Sequence, residues 1–216
     1  MSSLPVNEIF DTVQGEAHWT GTPSTFVRLQ GCAVGCPWCD TKHTWPLRAE
    51  MLKTQQEILQ KQGDSETYAV MNHFQIARQC SQRHVVITGG EPCDHDLTDL
   101  TDWLIEASHS VQIETSGTAK IRANPKTWVT VSPKINMPGG KLVLSSALER
   151  ADEIKMPVGK LADIMLLTSL LDGKYQERVW LQPLSMSPKA TALCVKAASE
   201  HGFRVSIQTH KLLGVR

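Results

Sequence analysis

The sequence has no excess of either charge, since its 22 lysines and arginines are balanced by 22 aspartates and glutamates. A surface that holds a nucleic-acid backbone needs a basic face, so this balance argues against direct nucleic-acid binding. The sequence also lacks any apolar stretch near the roughly 18 to 20 residues that span a bilayer. It begins MSSLPVNEIF, without a basic segment followed by a long apolar run, so we expect no membrane association and a cytoplasmic protein.

Low-complexity linkers are absent as well, and the 216 residues fit a single domain over 1–216. Hydrophobic residues make up 41% and charged residues 20%, so a substantial core can form and disorder is excluded. The stretch near 49–66 is polar and rich in Gln and Lys. We interpret it as a variable surface excursion whose details are dispensable.

Cysteine is scarce, but three of the six cysteines, Cys32, Cys36 and Cys39, fall within eight residues. In a reducing compartment such a group indicates metal ligands rather than disulfides. A closed structural site takes four protein ligands, so three thiols imply that something exchangeable completes the shell. Zinc with His43 or Cys93 as a fourth ligand is the alternative. The spacing C-x3-C-x2-C on one loop favours three corners of an iron–sulfur cube over zinc knuckles.

Short apolar strands alternate with helices over most of the chain, which predicts an α/β fold with a parallel sheet. The number of strands is too small for a closed eight-stranded barrel, so we predict an open, partial (β/α) barrel with about six parallel strands. The predicted strands are 25–30, 84–88, 110–114, 128–132, 152–155, 179–182 and 204–208, and the predicted helices are 68–81, 97–107, 162–171 and 190–201.

Polar clusters follow the predicted strands where each of them ends. They are GGEP at 89–92, ETSG at 114–117, SPK at 132–134, QP at 182–183 and QTH at 208–210. The carboxyl ends of parallel strands meet at one edge, and the cysteine loop opens at the same end of the first strand. The sequence therefore predicts that these groups converge on one site.

The cysteine spacing, with Trp38 directly before the last cysteine and Gly89-Gly90-Glu91-Pro92 after a strand, closely resembles the radical S-adenosylmethionine superfamily. The resemblance implies that three thiolates hold a [4Fe-4S] cluster. It further implies that S-adenosyl-L-methionine chelates the open iron and is cleaved by one electron to a 5'-deoxyadenosyl radical.

Segments along the whole chain resemble one family of that superfamily, the 7-carboxy-7-deazaguanine synthases of queuosine biosynthesis. The segments are EIFDTVQGE (8–16), TFVRLQGC (25–32), CDTKHTW (39–45), VVITGGEPC (85–93), QIETSGT (112–118), TVSPK (130–134), ADEIK (151–155), LQP (181–183) and QTHK (208–211). The resemblance implies a lyase that contracts 6-carboxy-5,6,7,8-tetrahydropterin to 7-carboxy-7-deazaguanine with loss of ammonia, assisted by Mg²⁺.

The resemblance also assigns roles to particular residues. Implied substrate contacts are Val13, Gln14, Gly15, Glu16, Arg28, Thr88, His210 and Arg216, of which Glu16 and His210 are candidate proton handlers and hence candidate catalytic residues. Implied contacts to S-adenosyl-L-methionine are Trp38, Cys39, Asp40, Gly90, Glu91, Ser132, Pro133, Lys134, Gln182, Pro183, Leu184 and Ser185. Thr41 is the implied Mg²⁺ ligand, beside Cys32, Cys36 and Cys39 for the cluster.

Several of these residues also have plainer interpretations. Arg28 could form a surface ion pair, His210 could be satisfied within the core, Thr41 could bond its own turn, and Lys134 could be an exposed lysine. At the level of function, the alternatives are an activase that makes a glycyl radical on another protein and a non-catalytic zinc-binding module. For the synthase we expect an external one-electron donor of flavodoxin or ferredoxin type, and a homodimer.

Overall fold

A nine-stranded sheet is the framework of the computed structural model, which describes residues 3–215. The strands are β1 Ser3–Val13, β2 Pro23–Leu29, β3 Ala69–Asn72, β4 His84–Gly89, β5 Ser110–Thr115, β6 Trp128–Val131, β7 Glu153–Val158, β8 Val179–Pro183 and β9 Arg204–Val205. Their order across the sheet is β3-β1-β2-β4-β5-β6-β7-β8-β9. The strands from β2 through β9 are parallel, whereas β1 is antiparallel to both β2 and β3.

The α/β class and the open sheet predicted from the sequence are thereby confirmed, since β3 and β9 end the described sheet without pairing to each other. The helices are α1 Gln55–Leu59, α2 His73–Ala77, α3 Thr98–Glu106, α4 Ser145–Arg150, α5 Leu161–Leu171, α6 Pro188–His201 and α7 Thr209–Leu213. On α6, Ala190, Cys194 and Ala197 are buried along one side of the helix. Within residues 3–215 no helix is both long enough and apolar enough to cross a bilayer.

The two faces of the central strands differ, because successive side chains of a strand point to opposite sides. On β5, Val111 and Ile113 belong to the apolar core, whereas the intervening Gln112 hydrogen-bonds across the other face to Thr130, at 2.8 Å. Thr130 continues this row by donating to Glu153 at 2.7 Å. The inner face of the partial barrel is therefore lined with polar side chains.

An aromatic layer covers the end of this inner face that lies at the start of the parallel strands. The ring of Trp19 stacks on His84 with centroids 4.4 Å apart, and His18 stacks on Trp128 at 4.5 Å. His84 and Trp128 are the first residues of β4 and β6. The open end of the inner face is therefore the opposite one, where the parallel strands finish.

Three sequence-based predictions of local structure were wrong. The predicted helix 68–81 is a strand and then a short helix, because alternate residues of β3 are buried and a period of two is that of a strand. The predicted strand 204–208 pairs only over Arg204–Val205. The segment before Val13 was not predicted as a strand, yet it forms the eleven-residue β1, whose polar Asn7 and Glu8 are buried against its neighbours.

The excursion near 49–66 contacts the sheet at its carboxyl end, while the expectation that its details are dispensable stays a prediction. Asn7 on β1 donates to the carbonyl oxygens of Ser65 and Thr67, at 2.9 and 3.1 Å. Gln30, completely buried, donates to the carbonyl oxygen of Glu66 at 3.1 Å and also accepts a 2.6 Å hydrogen bond from Asn7. The excursion is therefore part of the support around the end of β2.

Candidate active site

A cavity of about 420 Å³ opens at the carboxyl ends of the parallel strands. The predicted site residues that line it are Val13, Gln14, Gly15, Glu16, Arg28, Cys32, Cys36, Trp38, Cys39, Asp40, Thr41, Thr88, Gly90, Ser132, Lys134, Gln182, Pro183, Leu184, Ser185 and His210. Two further predicted residues, Glu91 and Pro133, are not part of this lining. Arg216 lies outside the described residues. The predicted convergence of the polar clusters is thus observed, while the ligand that each residue binds stays a prediction.

The cysteine loop follows β2 and is held by backbone hydrogen bonds. Gly31 and Cys32 donate their backbone N–H groups to the carbonyl oxygens of Thr44 and Trp45, at 2.7 and 3.1 Å. All three cysteines are free thiols that face the cavity. Burial raises the pKa of the thiols of Cys32 and Cys36 above the ordinary value.

The three thiols do not converge on a single point. Among the described residues, the one trio of His, Cys, Asp or Glu whose donor atoms lie within 4.8 Å of one another is Glu8, His43 and Asp64. Sulfurs that share one tetrahedral zinc ion through bonds of about 2.3 Å lie only about 3.8 Å apart. At least one pair of the cysteine sulfurs is therefore more than 4.8 Å apart. At the Glu8 trio a cation would meet the guanidinium of Arg28, which is 2.7 Å from Glu8.

The turn after β4 packs directly on the cysteine loop. The backbone N–H groups of Gly90 and Glu91 donate to the carbonyl oxygens of Leu29 and Gly31, at 2.9 and 2.8 Å. A Cβ atom added to Gly90 would lie 2.1 Å from the carbonyl oxygen of Gly31 and 3.0 Å from the Cβ of Cys32. Glycine is therefore required at this close approach.

Glu91 fixes this turn from beneath the cavity. Its buried carboxylate accepts hydrogen bonds from the backbone N–H of Cys93 at 2.9 Å, from the Thr115 hydroxyl at 2.6 Å and from the backbone N–H of Ser116 at 2.8 Å. These bonds join the end of β4 to the end of β5. In the structure Glu91 supports the site and does not line it.

Thr41 lies beside the last cysteine, with its hydroxyl oxygen 3.5 Å from the sulfur of Cys39. It precedes a short 3-10 turn over Lys42–Thr44, but its side chain makes no capping hydrogen bond to that turn. The backbone carbonyl of Thr41, by contrast, accepts from Thr44. The hydroxyl is thus not consumed by its own turn and faces the cavity.

The two most distinctive sequence segments, QGE at 14–16 and QTHK at 208–211, contact each other. The backbone N–H of Thr209 donates to the carbonyl oxygen of Gly15 at 2.9 Å. A Cβ atom added to Gly15 would lie 2.1 Å from Nδ1 of His210, so the imidazole packs against the glycine backbone. The ring of His210 makes no hydrogen bond within residues 3–215 and lines the cavity, which differs from a satisfied core histidine.

Glu16 is held by three donors from three different strands or their extensions. Its Oε1 accepts from the side-chain amides of Gln182 at 3.0 Å and Gln208 at 2.8 Å, and its Oε2 accepts from the ammonium of Lys155. Lys155 also contacts Glu114 at 3.3 Å. Burial opposes ionisation of Glu16, but Lys155 outweighs it and lowers the pKa of Glu16 to about 2. Glu16 is therefore a carboxylate at neutral pH.

The side-chain amide and the backbone groups of Gln14 make hydrogen bonds to other residues of the protein. Its side-chain amide donates to Glu114 at 3.0 Å and to Gln112 at 3.2 Å, and its amide oxygen accepts from the backbone N–H of Glu16 at 3.1 Å. Its backbone N–H and carbonyl pair with Thr22 and Gly21. These contacts fix the turn that carries Glu16.

Arg28 pairs with a buried carboxylate rather than a surface one. Its Nε donates to Glu8 at 2.7 Å, where the Glu8 side chain is only 7% exposed. The guanidinium also lies over the ring of Phe10, 5.6 Å from its centroid. No hydrogen bond from the terminal nitrogens of Arg28 to another residue is found in the described part of the chain. Those two groups remain available on the cavity wall.

Lys134 is the second lysine of the cavity and differs from Lys155. Its ammonium donates to the hydroxyl of Ser132 at 2.6 Å, and it has no carboxylate partner among the ion pairs within residues 3–215. Burial lowers the pKa of Lys134, opposed by the neighbouring Cys36. Lys134 is therefore a partly shielded donor beside the cysteine loop, not an exposed lysine.

Comparison with known proteins places the chain among close relatives. It is 50% identical over 219 residues to the 7-carboxy-7-deazaguanine synthase of Escherichia coli (strain K12), covering 98% of both chains, and 41% identical to that of Buchnera aphidicola over 98% of this chain and 99% of the relative. The crystal structure of QueE from Escherichia coli superimposes with a TM-score of 0.90 at 49% identity, covering 95% of this chain and 94% of that chain. No protein-family model matches the chain.

The chain belongs to the 7-carboxy-7-deazaguanine synthase family. The resemblance read from the sequence motifs is thereby confirmed at the level of the family, and with it the prediction that the protein is an enzyme, a synthase.

Sequence reasoning missed several residues that line the cavity of this family member. They are Phe10, Phe26, Val34, Trp45, Gly89, Glu114, Thr115, Ser116, Lys155, Pro157, Gln208 and Lys211. Ten of them, all except Val34 and Pro157, lie inside segments that the sequence analysis had already quoted, although no individual role was assigned to them. Their position at or near strand ends was the available signal.

Proposed function

We propose that this protein is a radical S-adenosylmethionine lyase that contracts the ring of 6-carboxy-5,6,7,8-tetrahydropterin to give 7-carboxy-7-deazaguanine and ammonia, in queuosine biosynthesis. The observation that carries the proposal is 50% identity to the Escherichia coli synthase over 98% of both chains. The cavity supports it, because the cysteine loop and the polar residues meant for substrate face one another across it.

The cysteine side of the cavity has the donor set for an iron–sulfur cluster. Cys32, Cys36 and Cys39 offer three free thiols that line the cavity, one fewer than the four ligands of a closed zinc site. A [4Fe-4S] cluster with bound S-adenosyl-L-methionine supplies a 5'-deoxyadenosyl radical. Around that position Gly90 leaves room for close backbone approach, and Lys134 and Ser132 offer donors for a carboxylate.

The opposite side of the cavity suits the substrate. The Glu16 carboxylate accepts N–H groups of the pyrimidinone ring, since a carboxylate has about four lone-pair positions and protein donors use three. The terminal nitrogens of Arg28 meet the substrate carboxylate in charge-assisted hydrogen bonds. Thr88 and His210 complete the contacts, and His210 is placed to handle a proton at its ring nitrogens.

Thr41 is the proposed protein ligand for Mg²⁺, together with oxygen atoms of the substrate. Mg²⁺ takes oxygen ligands and characteristically keeps few from the protein. The free orientation of the Thr41 hydroxyl next to Cys39 supports this role. We further propose a homodimer and an external flavodoxin-like or ferredoxin-like electron donor, and neither a nucleic acid nor a membrane as partner.

The rival functions fit less well. A glycyl-radical activase acts on a protein backbone and has no need of the Arg28 guanidinium and the Glu16 carboxylate in the cavity lining. A zinc module requires four converging ligands, which the three thiols do not provide among the described residues.

Anaerobic reconstitution tests the proposal. The protein is loaded with iron and sulfide, then incubated with reductant, S-adenosyl-L-methionine, Mg²⁺ and the carboxytetrahydropterin, while the deazaguanine product and 5'-deoxyadenosine are quantified. We expect product from wild type and none from Cys36→Ala. Cys194→Ala, which removes a thiol from the core face of α6, is the matched control and should keep activity. Wild-type iron loading without product, or product from Cys36→Ala, contradicts the proposal.

A further inference from the structure

We propose that Lys155 is a positioning residue that keeps Glu16 ionised and fixed in one orientation, so that Glu16 can accept N–H groups from the pyrimidinone end of the substrate. This inference deepens the proposed function and rests on it for the identity of the ligand. Lys155 is 5% exposed and Glu16 is 14% exposed, so neither charge is solvated by bulk water.

The contact joins distant parts of the sheet. Lys155 is on the inner face of β7, while Glu16 follows β1 in a turn 139 residues earlier in the chain. On its other side the same ammonium lies 3.3 Å from Glu114, the penultimate residue of β5. A buried cation between two carboxylates leaves the trio with one net negative charge. Such a group favours a ligand edge made of hydrogen-bond donors.

The other donors to Glu16 are themselves oriented. The Gln208 amide oxygen accepts from the ammonium of Lys211 at 2.7 Å, and the Gln182 amide oxygen accepts from the Ser206 hydroxyl at 3.2 Å. Each amide therefore turns its NH₂ group toward Glu16. Both amides are neutral, so they orient the carboxylate without supplying the charge that keeps it ionised.

Lys155 supplies that charge. Burial alone lowers the pKa of a lysine, but Glu114 and Glu16 outweigh burial and raise the pKa of Lys155 above its ordinary value. Lys155 is thus a fixed cation and a poor proton donor at neutral pH. The other charged or titratable groups that face this pair are His210 on α7, Glu153 on β7 and Lys134 after β6. None of these makes an ion pair with Glu16 within the described residues.

Without Lys155, a buried Glu16 would take up a proton. A protonated carboxyl group has an O–H donor in place of one acceptor position and no negative charge, so it accepts N–H groups of the substrate more weakly. Lys155→Met removes the charge and keeps an unbranched side chain. Lys155→Arg keeps the charge and is the matched control.

The first test needs no cofactor or substrate. The protein is labelled with ¹³C at glutamate carboxyl groups, the Glu16 resonance is assigned by its loss in Glu16→Gln, and the pH is lowered from 8 to 4. We expect Glu16 to remain ionised throughout in wild type and Lys155→Arg, and to titrate within this range in Lys155→Met. A Glu16 resonance that stays ionised to pH 4 in Lys155→Met overturns the inference.

The second test measures turnover. We expect kcat/KM for the carboxytetrahydropterin to fall roughly 100-fold in Lys155→Met, mainly through KM, since a protonated Glu16 no longer makes charge-assisted hydrogen bonds to the substrate. Its activity should rise with pH over the range in which Glu16 titrates. Lys155→Arg should lose less than about tenfold and keep the wild-type pH profile.

A double variant separates the effect of Lys155 on Glu16 from a loss of activity caused by poor folding of Lys155→Met. Once Glu16→Gln has removed the charge, adding Lys155→Met should change KM little, and additive losses overturn the inference.

The proposed function and the role of Lys155 can fail independently of each other. If wild type does not turn over the pterin but Glu16 titrates as expected, only the proposed function is lost. If turnover is normal and Lys155→Met behaves as wild type, only the role of Lys155 is lost.

Discussion

The two walls of the cavity are built differently. On the cysteine wall, the loop is held from outside the cavity by backbone hydrogen bonds such as that from Gly31 to Thr44, and the thiols themselves make few bonds within the protein. On the carboxylate wall, the functional groups hold each other, since Glu16 accepts from Lys155, Gln182 and Gln208. The thiols of the cysteine wall are therefore available to a ligand. The side chains of the carboxylate wall are already hydrogen-bonded to one another without a ligand.

The two walls also differ in how burial and neighbouring charges shift the pKa of their functional groups. Burial raises the pKa of the Cys32 and Cys36 thiols, so these groups favour the neutral form until a metal displaces their protons. The carboxylate wall has its own counter-ion, and Lys155 overcomes burial to lower the pKa of Glu16. The difference predicts that damage to one wall should be separable from damage to the other.

The largest effect is expected from Gly90→Ala. The new Cβ would lie 2.1 Å from the Gly31 carbonyl oxygen, in backbone that cannot move without displacing Cys32. Iron content, cleavage of S-adenosyl-L-methionine and product formation should all fall to background. Gly202→Ala is the control, because a Cβ there meets nothing within 4 Å and only the backbone conformation at the end of α6 is strained. Normal iron loading in Gly90→Ala would contradict the contact.

Gly15→Ala should damage the other wall alone. Its Cβ would lie 2.1 Å from Nδ1 of His210, so either the QGE turn or the QTHK segment must shift. Misplacement by about 1 Å can cost about 100-fold in rate, and we expect a loss of that order in product formation. Iron content and cleavage of S-adenosyl-L-methionine without substrate should stay near wild type. A parallel loss of cluster would show that the two walls are not independent.

Arg28→Met should raise KM for the pterin about 10- to 100-fold, as expected for loss of charge-assisted hydrogen bonds worth roughly 1.5–3 kcal/mol. Because the variant also removes the Arg28 counter-charge from the buried Glu8, the double variant Glu8→Gln/Arg28→Met is measured beside it. The double variant should recover thermal stability but not KM. Recovery of KM as well would show that Arg28 serves only to neutralise Glu8.

Gln30→Leu should have a smaller effect on the cysteine wall, through stability. The buried amide donates to the carbonyl oxygens of His43, Pro46 and Glu66, and its loss leaves them without that donor. Leaving a buried polar group unsatisfied costs about 1–3 kcal/mol, so we expect the free energy of unfolding to fall by about 3 kcal/mol. We also expect incomplete iron loading. Gln56→Ala, on the exposed face of α1, should change neither. Equal denaturation midpoints for the two variants would show that the hydrogen bonds of Gln30 do not stabilise this part of the fold.

A contrast between strands that are apolar on both faces and strands with one polar face explains which parts of the structure the sequence could predict. Strand β4 was predicted because Val85, Val86 and Ile87 are buried on both faces and form a continuous apolar run. Lys155 was not assigned to the site, because its alternation with apolar neighbours is the pattern of a strand with one face in solvent. In the fold that polar face lines the inside of a partial barrel. Periodicity gives the face of a strand but not whether water or a cavity lies beyond it.

The smallest predicted effect is on stability in acid. The pKa of Glu16 is about 2 in the folded protein, against an ordinary value of 4.5, so its contribution is fully present above pH 4.5 and is lost as the pH falls toward 2. For a buried pair this amounts to a few kcal/mol at most. Wild type should therefore lose more stability than Glu16→Gln between pH 4.5 and 3, measured by urea unfolding at each pH. Parallel curves would mean that Lys155 draws its stabilisation from Glu114 alone, and that the carboxylate wall depends on one ion pair rather than two.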